Sequence, residues 1–449
     1  MKPTSIPPQP RRAEPVARRV KSRRRARSFL ISYLAAGLYV AVLLILLLLL
    51  WSSRREHESH VRVPDMKDFE QALPSIAGLT GSPILPGNRV EILENGDEFF
   101  PSLLRDIAAA RQTVHMETYV WWDGEICVQI ADALAAKARE GVEVRLLVDA
   151  VGSQKGDDEL FERIRQAGGQ VAKYHPFSFK DIGMINNRTH RKLAILDGRA
   201  AYVFGHGIAQ EWTGDGQDAE HWRDTGVRLQ GPVVSSVQAV FAENWVEETT
   251  EVLVGERYFP PLSHAGTVRA HVTASSPRGG VSQLELLFKL AIATAQKELL
   301  IQNPYFIPDG EVVGLLEEAV RRGVDVRIMI PGQVTDSSVV RHAGHRRFEE
   351  LMEHGVKIYE YQKTLNHQKV MVVDGIWAHV GSTNFDDRSL DINDEASVGL
   401  IDPEAAGRLQ KAFARDAEES TLLTLDVWRR RSAWHRLVDR VSYTINEQL

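Results

Sequence analysis

The sequence predicts an α/β layered fold made of two matched halves and preceded by one transmembrane helix. Three observations carry this reading. Helical stretches alternate with short β-branched runs, the pattern of domains in which helices cover a sheet. The same ordered plan occurs twice along the chain. A long charge-free run lies ahead of both copies.

The amino-terminal part is set apart by charge. Residues 1–51 hold ten Lys/Arg and one acid, a net +9 within an overall −6, so the remaining 398 residues sum to −15. A globular part that acidic is poorly suited to nucleic acid, which is bound through phosphate-neutralising Lys and Arg. From 28 to 51 runs SFLISYLAAGLYVAVLLILLLLLW, twenty-four residues without a charge. At about 1.5 Å per residue it can cross a hydrocarbon core of about 30 Å. Tyr33 and Trp51 stand towards its ends, where amphipathic rings favour the interface. A cleaved signal peptide has a shorter apolar core, about 7–15 residues, closing on small residues. This run passes instead straight into Trp51, Arg54 and Arg55. The basic cluster ahead of it places the amino terminus in the cytoplasm and the globular part outside.

The domain plan is therefore a basic tail at 1–27, a span at 28–51, a Gly/Pro/Ser-containing stalk at 52–88, and repeats at 89–258 and 259–449. In each repeat a helical stretch leads into an apolar run, TVHMETYVWW and ELLIQNPYFIP. A helix and the strands GVEVRLLVDAVG and GVDVRIMIPG follow, then FERIRQAGGQVAKYH and FEELMEHGVKIYEY. The single cysteine, Cys127, excludes an internal disulfide and a cysteine-based metal site.

The chemistry is concentrated in two short motifs. The first repeat reads His190-Arg-Lys192 with Asp197-Gly198 at the same offset as His367-Gln-Lys369 and Asp374-Gly375 in the second. Apolar runs flanking Asp-Gly signal a β-hairpin with a type I′ turn. His and Lys two apart on a strand point to one face, so each hairpin presents an imidazole beside an ammonium. A lone His-x-Lys is usually structural. Two copies at matched positions are not.

This double pattern resembles the phospholipase D superfamily, over about residues 90–445. The resemblance implies a duplicated phospholipase D fold, two α/β/α halves about a pseudo-two-fold axis that brings His190 and His367 together. It also implies catalysis without metal or other cofactor through a phosphohistidine. One imidazole attacks phosphorus while the other protonates the leaving alkoxide, and Lys192 and Lys369 stabilise the equatorial oxygens. Asp197 and Asp374 complete the catalytic motifs, but at the turn they brace the hairpin rather than react. Ser382 and Asn384, in Gly381-Ser-Thr-Asn384, are placed as phosphate-binding residues, and Asp224 and Glu395 as the carboxylates that orient the histidines. Where the first repeat usually has an asparagine, this chain has Gly207, preceded by His206, an additional donor. The expectation is that Asn at Gly207 is tolerated.

Within the superfamily, Glu117-Thr-Tyr119, Trp222-Arg-Asp224-Thr225, Asn303-Pro-Tyr305-Phe-Ile-Pro308 and Gly381–Ser389 are similar to bacterial cardiolipin synthases. That implies a bacterial inner-membrane enzyme with a periplasmic catalytic region. It would join two phosphatidylglycerol molecules and release glycerol, and its partners are membrane phospholipids rather than nucleic acid. Those synthases usually carry a pair of amino-terminal spans, whereas this chain shows one. A phospholipid hydrolase using the same site, a nuclease, and an inactive membrane scaffold are the competing readings. The acidic charge and the apolar run disfavour the nuclease, and the retention of both His/Lys pairs disfavours the scaffold. The basic, aromatic tail around Trp428–Leu437 suits either an anionic bilayer or packing on the domain.

Overall fold

The computed structural model describes residues 32–44, 68–177, 186–276 and 282–444. It divides into two compact units, Met1–Glu58 and Ser59–Leu449. In the first, residues 32–44 are helical. Among the described residues no helix is long and apolar enough to cross a membrane. The expected span at 28–51 extends past that helix at both ends into residues outside the described ones, as does the whole basic tail.

The second unit is built on one fifteen-stranded sheet. The first seven strands are β1 (Leu85–Glu94), β2 (Thr113–Thr118), β3 (Glu143–Asp149), β4 (Gln170–Tyr174), β5 (Leu193–Leu196), β6 (Ala200–Phe204) and β7 (Thr225–Gln230). The next seven are β8 (Val268–Ser275), β9 (Glu298–Gln302), β10 (Asp325–Pro331), β11 (Lys357–Tyr361), β12 (Val370–Val373), β13 (Trp377–Gly381) and β14 (Glu395–Ile401), with β15 (Ser420–Leu422) on the far edge. From the central pair outward the order is β1-β7-β6-β5-β2-β3-β4 on one side and β8-β14-β13-β12-β9-β10-β11-β15 on the other. β1 and β8 pair antiparallel. The trios β2-β3-β4 and β9-β10-β11 are parallel, so each needs crossover helices.

Those helices follow from the sequence. Glu125–Arg139 and Gly310–Arg321 repeat apolar residues at helical spacing, and Ile126, Ile130 and Leu134 face the core as do Val312, Val313 and Leu316. Asp309 caps the second of these helices, and Asp157 the helix Asp158–Gln166, with a carboxylate on a free backbone N–H. The helices Val234–Thr249 and Pro403–Glu418 contribute Val237, Phe241, Leu409 and Phe413 to one core that also takes Val203 and Val372 from the two strand sets. The sheet therefore has a shared floor, which fixes the loops above it.

Both Asp-Gly hairpins form as the sequence predicts. Asp197 and Gly198 have φ of +54° and +60°, and Asp374 and Gly375 +55° and +68°, the positive pair that a type I′ turn requires. The Asp197 carboxylate accepts the backbone N–H groups of Arg111, Gln112 and Thr113. Asp374 accepts those of Gln296, Lys297 and Glu298. Each ties the turn to the start of the neighbouring strand, β2 or β9.

The stalk boundary needs correction. Residues 68–88 already belong to the globular unit, where the helix Leu73–Leu79 follows a turn at Phe69–Ala72. Phe69, Leu73 and Ile76 are buried in the core of the second strand set. Their spacing of four and three is an apolar helical stripe, hidden among the Pro, Gly and Ser residues around it.

Candidate active site

His190 and Lys192 lie in the extended segment entering β5, and His367 and Lys369 in the one entering β12, rather than within the strands as expected. Those entry segments pair across the molecule. Thr189 bridges Asp394 and Arg223 bridges Asn366 in parallel fashion. The N–H of His190 donates to the Asp394 carbonyl at 2.8 Å, and that of His367 to the Arg223 carbonyl at 2.8 Å.

The next residue along each partner strand is the orienting carboxylate. His190 Nδ1 is 2.8 Å from Glu395 Oε1, and His367 Nδ1 is 2.8 Å from Asp224 Oδ2. Each histidine is thus held by a carboxylate from the opposite repeat. Donation by Nδ1–H leaves Nε2 as the reactive nitrogen of the neutral ring. An aromatic edge stands beside each imidazole: Tyr119 at 5.1 Å from His190, Trp212 at 5.1 Å from His367.

The lysines are buried with their histidines. Lys192 Nζ donates to the His190 carbonyl at 2.8 Å, and Lys369 Nζ to the His367 carbonyl at 2.7 Å. Burial pushes Lys192 down to about 7 and Lys369 to about 8, each ammonium also lowering the pKa of His190. Burial is the largest cause holding both imidazoles below their ordinary range, with Lys192 and Lys369 adding to it at His190 and Lys369 at His367. The carboxylates diverge. Burial raises Glu395 to about 7 against the pull of Lys192. Burial also opposes ionisation of Asp224, but His206, His367 and Lys369 outweigh it and hold that carboxyl well below the usual range.

The surroundings of the two carboxylates explain two departures from the sequence reading. Ser382 is not free for phosphate: its hydroxyl is bonded to Glu395 and to the Ala396 carbonyl. It supports the carboxylate that supports His190. At the matching place in the first repeat stands Gly205, where a Cβ would lie 2.2 Å from Asp224 Oδ1. Asp224 instead receives the indole N–H of Trp212 at 2.9 Å. Trp212 also fills the space of the missing amide, because a Cβ on Gly207 would stand 2.7 Å from its ring. Asparagine at Gly207 is therefore not accommodated. His206 is not a donor to the site either; it is fully buried and stacked on Phe99 at 4.3 Å, with burial lowering it to about 4. Sequence reasoning missed Trp212, whose signal is its place in Gln-Glu-Trp five residues beyond Gly207.

Asn384, the other residue expected to bind phosphate, is buried two residues beyond Ser382. It is 6% exposed, and only its Nδ2 amide can donate to a phosphate oxygen, because Oδ1 is an acceptor. Asp197 and Asp374 sit at the opposite ends of β5 and β12 from the histidines and make the turn contacts described above. Among the described residues, the group with metal-ligand geometry is His342, His345 and Asp439, on the helices Ser338–Glu353 and Ala433–Thr444.

The family model described as cardiolipin synthase, PLD-like domain, matches residues 103–245 and 288–417. The chain belongs to this family. Cardiolipin synthase 2 of Bacillus anthracis is 36% identical over 352 residues, which cover 77% of this chain and 68% of that one. A cardiolipin synthase of Listeria monocytogenes is 32% identical over 391 residues, 86% and 81% of the two chains. Among solved structures, phosphatidylserine synthase of Haemophilus influenzae superposes with a TM-score of 0.64 at 14% identity, covering 86% of this chain and 100% of that chain. The last likeness is one of fold.

Proposed function

We propose that this cardiolipin synthase family member is a phosphatidyltransferase that makes cardiolipin and glycerol from two phosphatidylglycerol molecules. The observation that carries it is the crossed carboxylate pair, which equips two buried imidazoles with two lysines in one site. His190 is the nucleophile: its carboxylate is pushed towards the neutral form, so a positive charge on His190 gains little. Its Nε2 forms the bond to phosphorus as the bond from phosphorus to the glycerol oxygen breaks. His367, whose ionised carboxylate partner opposes the burial that lowers its pKa, gives its Nε2 proton to that oxygen. The hydroxyl of a second phosphatidylglycerol then attacks the phosphohistidine, returning its proton to His367 and freeing His190. Lys192, Lys369 and Asn384 hold the phosphoryl oxygens.

The mirrored strand order supports descent from one duplicated α/β half, and the charge-free run at 28–51 supports a single anchoring span with an exported catalytic region. A periplasm-dependent reporter fused after Leu449 should be active; a stable but inactive fusion would reverse the orientation. For the reaction itself, purified protein given phosphatidylglycerol alone should yield cardiolipin and glycerol, with or without chelator. Phosphatidic acid as the only lipid product would make it a hydrolase.

A further inference from the structure

The carboxyl-terminal helix Ala433–Thr444 is packed the wrong way round for a water-soluble surface. Its inner side is polar: Asp439 and Ser442 are buried. Asp439 takes the His342 imidazole at 2.8 Å, which clasps the helix to Ser338–Glu353, and the guanidinium of Arg431, just ahead of the helix, at 2.9 Å. Its outer side is apolar. Trp434, Leu437 and Val441 are 69%, 50% and 58% exposed, and their spacing of three and four aligns them in one stripe. A tryptophan, a leucine and a valine held outward by a buried carboxylate have no reason to face water.

We propose that this helix lies on the surface of an anionic lipid bilayer, with the Trp434–Leu437–Val441 stripe entering the headgroup boundary. Charge decides the occupant. Arg430, Arg436 and Arg440 are exposed around the stripe, an arrangement that anionic headgroups attract. A second copy docking by the same face would bring these arginines against one another. Position agrees with the chemistry. Tyr443, on the same helix, packs with Tyr305 on the small cluster of Ile307, Val340 and Ala343. The Tyr305 hydroxyl donates to Asp336 at 2.5 Å, and the Asp336 charge acts on His367 and Lys369. The helix is thereby tied to the wall of the two-histidine site, where a bilayer-bound substrate has to arrive. The docking is independent of phosphatidyl transfer, because its readout needs no turnover.

The test uses full-length protein in vesicles. Cys127 is buried and is the sole cysteine, so Leu437→Cys, and separately Trp434→Cys, can carry an environment-sensitive fluorophore. In phosphatidylcholine vesicles containing phosphatidylglycerol, emission at both positions should shift to the blue and be quenched by nitroxide-bearing lipid. The quenching should fall several-fold in pure phosphatidylcholine, and also on adding Arg436→Glu with Arg440→Glu. A label equally wet in both vesicles would overturn the proposal. So would equal quenching in both, which removes the anionic preference. Protection without lipid quenching, accompanied by energy transfer between labelled copies, would assign the face to a second chain instead.

Discussion

Glu395 and Asp224 each meet an imidazole Nδ1 at 2.8 Å, yet one leans on a serine hydroxyl and the other on an indole N–H. The Glu395 side keeps the serine and asparagine, while the Asp224 side has exchanged both for glycines and filled the space with Trp212. What differs is the charge each carboxylate can keep. Glu395 stands at about 7 and Asp224 well below the carboxylate range, so two geometrically matched histidines are given unequal electrostatic support. Near-symmetry of backbone does not imply symmetry of role.

The sharpest way to break this comparison is at the histidines. His190→Ala and His367→Ala should each lower turnover on phosphatidylglycerol by on the order of 10³–10⁴-fold. With a substrate carrying an activated leaving group they should separate: His367→Ala still forms the covalent adduct, detected as a burst of leaving group, and His190→Ala forms none. A burst from His190→Ala alone would exchange the two roles. Below that in size, Asn384→Ala should cost about 10²-fold in kcat/KM, the loss of one oxyanion ligand. Gly207→Asn should also be damaging, because the new side chain displaces Trp212 from Asp224. Normal activity in Gly207→Asn would show that the indole is dispensable.

Smaller still is the effect of the supports. Ser382→Ala and Trp212→Phe should each cost about 10-fold, one hydrogen bond to a charged group, but only the first should move the pH profile. Removing a donor from Glu395 raises its pKa further, so the carboxylate is protonated at higher pH and the acid limb of kcat/KM moves up from near 7. The Asp224 carboxyl starts too low for loss of the indole to bring it into range. On the alkaline side activity should fall as Lys192 and Lys369 lose their protons through about 7 and 8, and Lys192→Arg should carry that limb upward. The smallest effect on chemistry belongs to the turn residues. Asp197→Ala or Asp374→Ala leaves three backbone N–H groups without their acceptor, and should reduce unfolding free energy by about 1–3 kcal/mol without shifting the pH profile.

Much of this arrangement was legible in the residues. The Asp-Gly turns and the helices behind Glu125 and Gly310 follow from local periodicity and turn chemistry, while the meeting of the two His/Lys sets was implied by the family resemblance. What was not legible lies across the chain. No local pattern says that Asp224 faces His367 instead of His190, because that choice is made by backbone bridges between segments 143 residues apart. Ser382 looked like a phosphate ligand because its sequence neighbours are, whereas its own hydroxyl is consumed by Glu395. Phe69, Leu73 and Ile76 were overlooked since three apolar residues in a Pro- and Gly-containing stretch give a weak helical signal. Trp212 was invisible as a site residue because bulky aromatics usually report on packing alone.

The exchange of carboxylates between repeats makes the site behave as a coincidence detector. A chain released after Val268 would contain His190, Lys192 and Asp224, yet its histidine would lack Glu395 and its aspartate would face no imidazole. Reactivity towards phosphodiesters therefore arises at the end of folding, not gradually during it. For a phosphatidyltransferase, lateness is a safeguard: an unfinished copy has no assembled site with which to attack phospholipids.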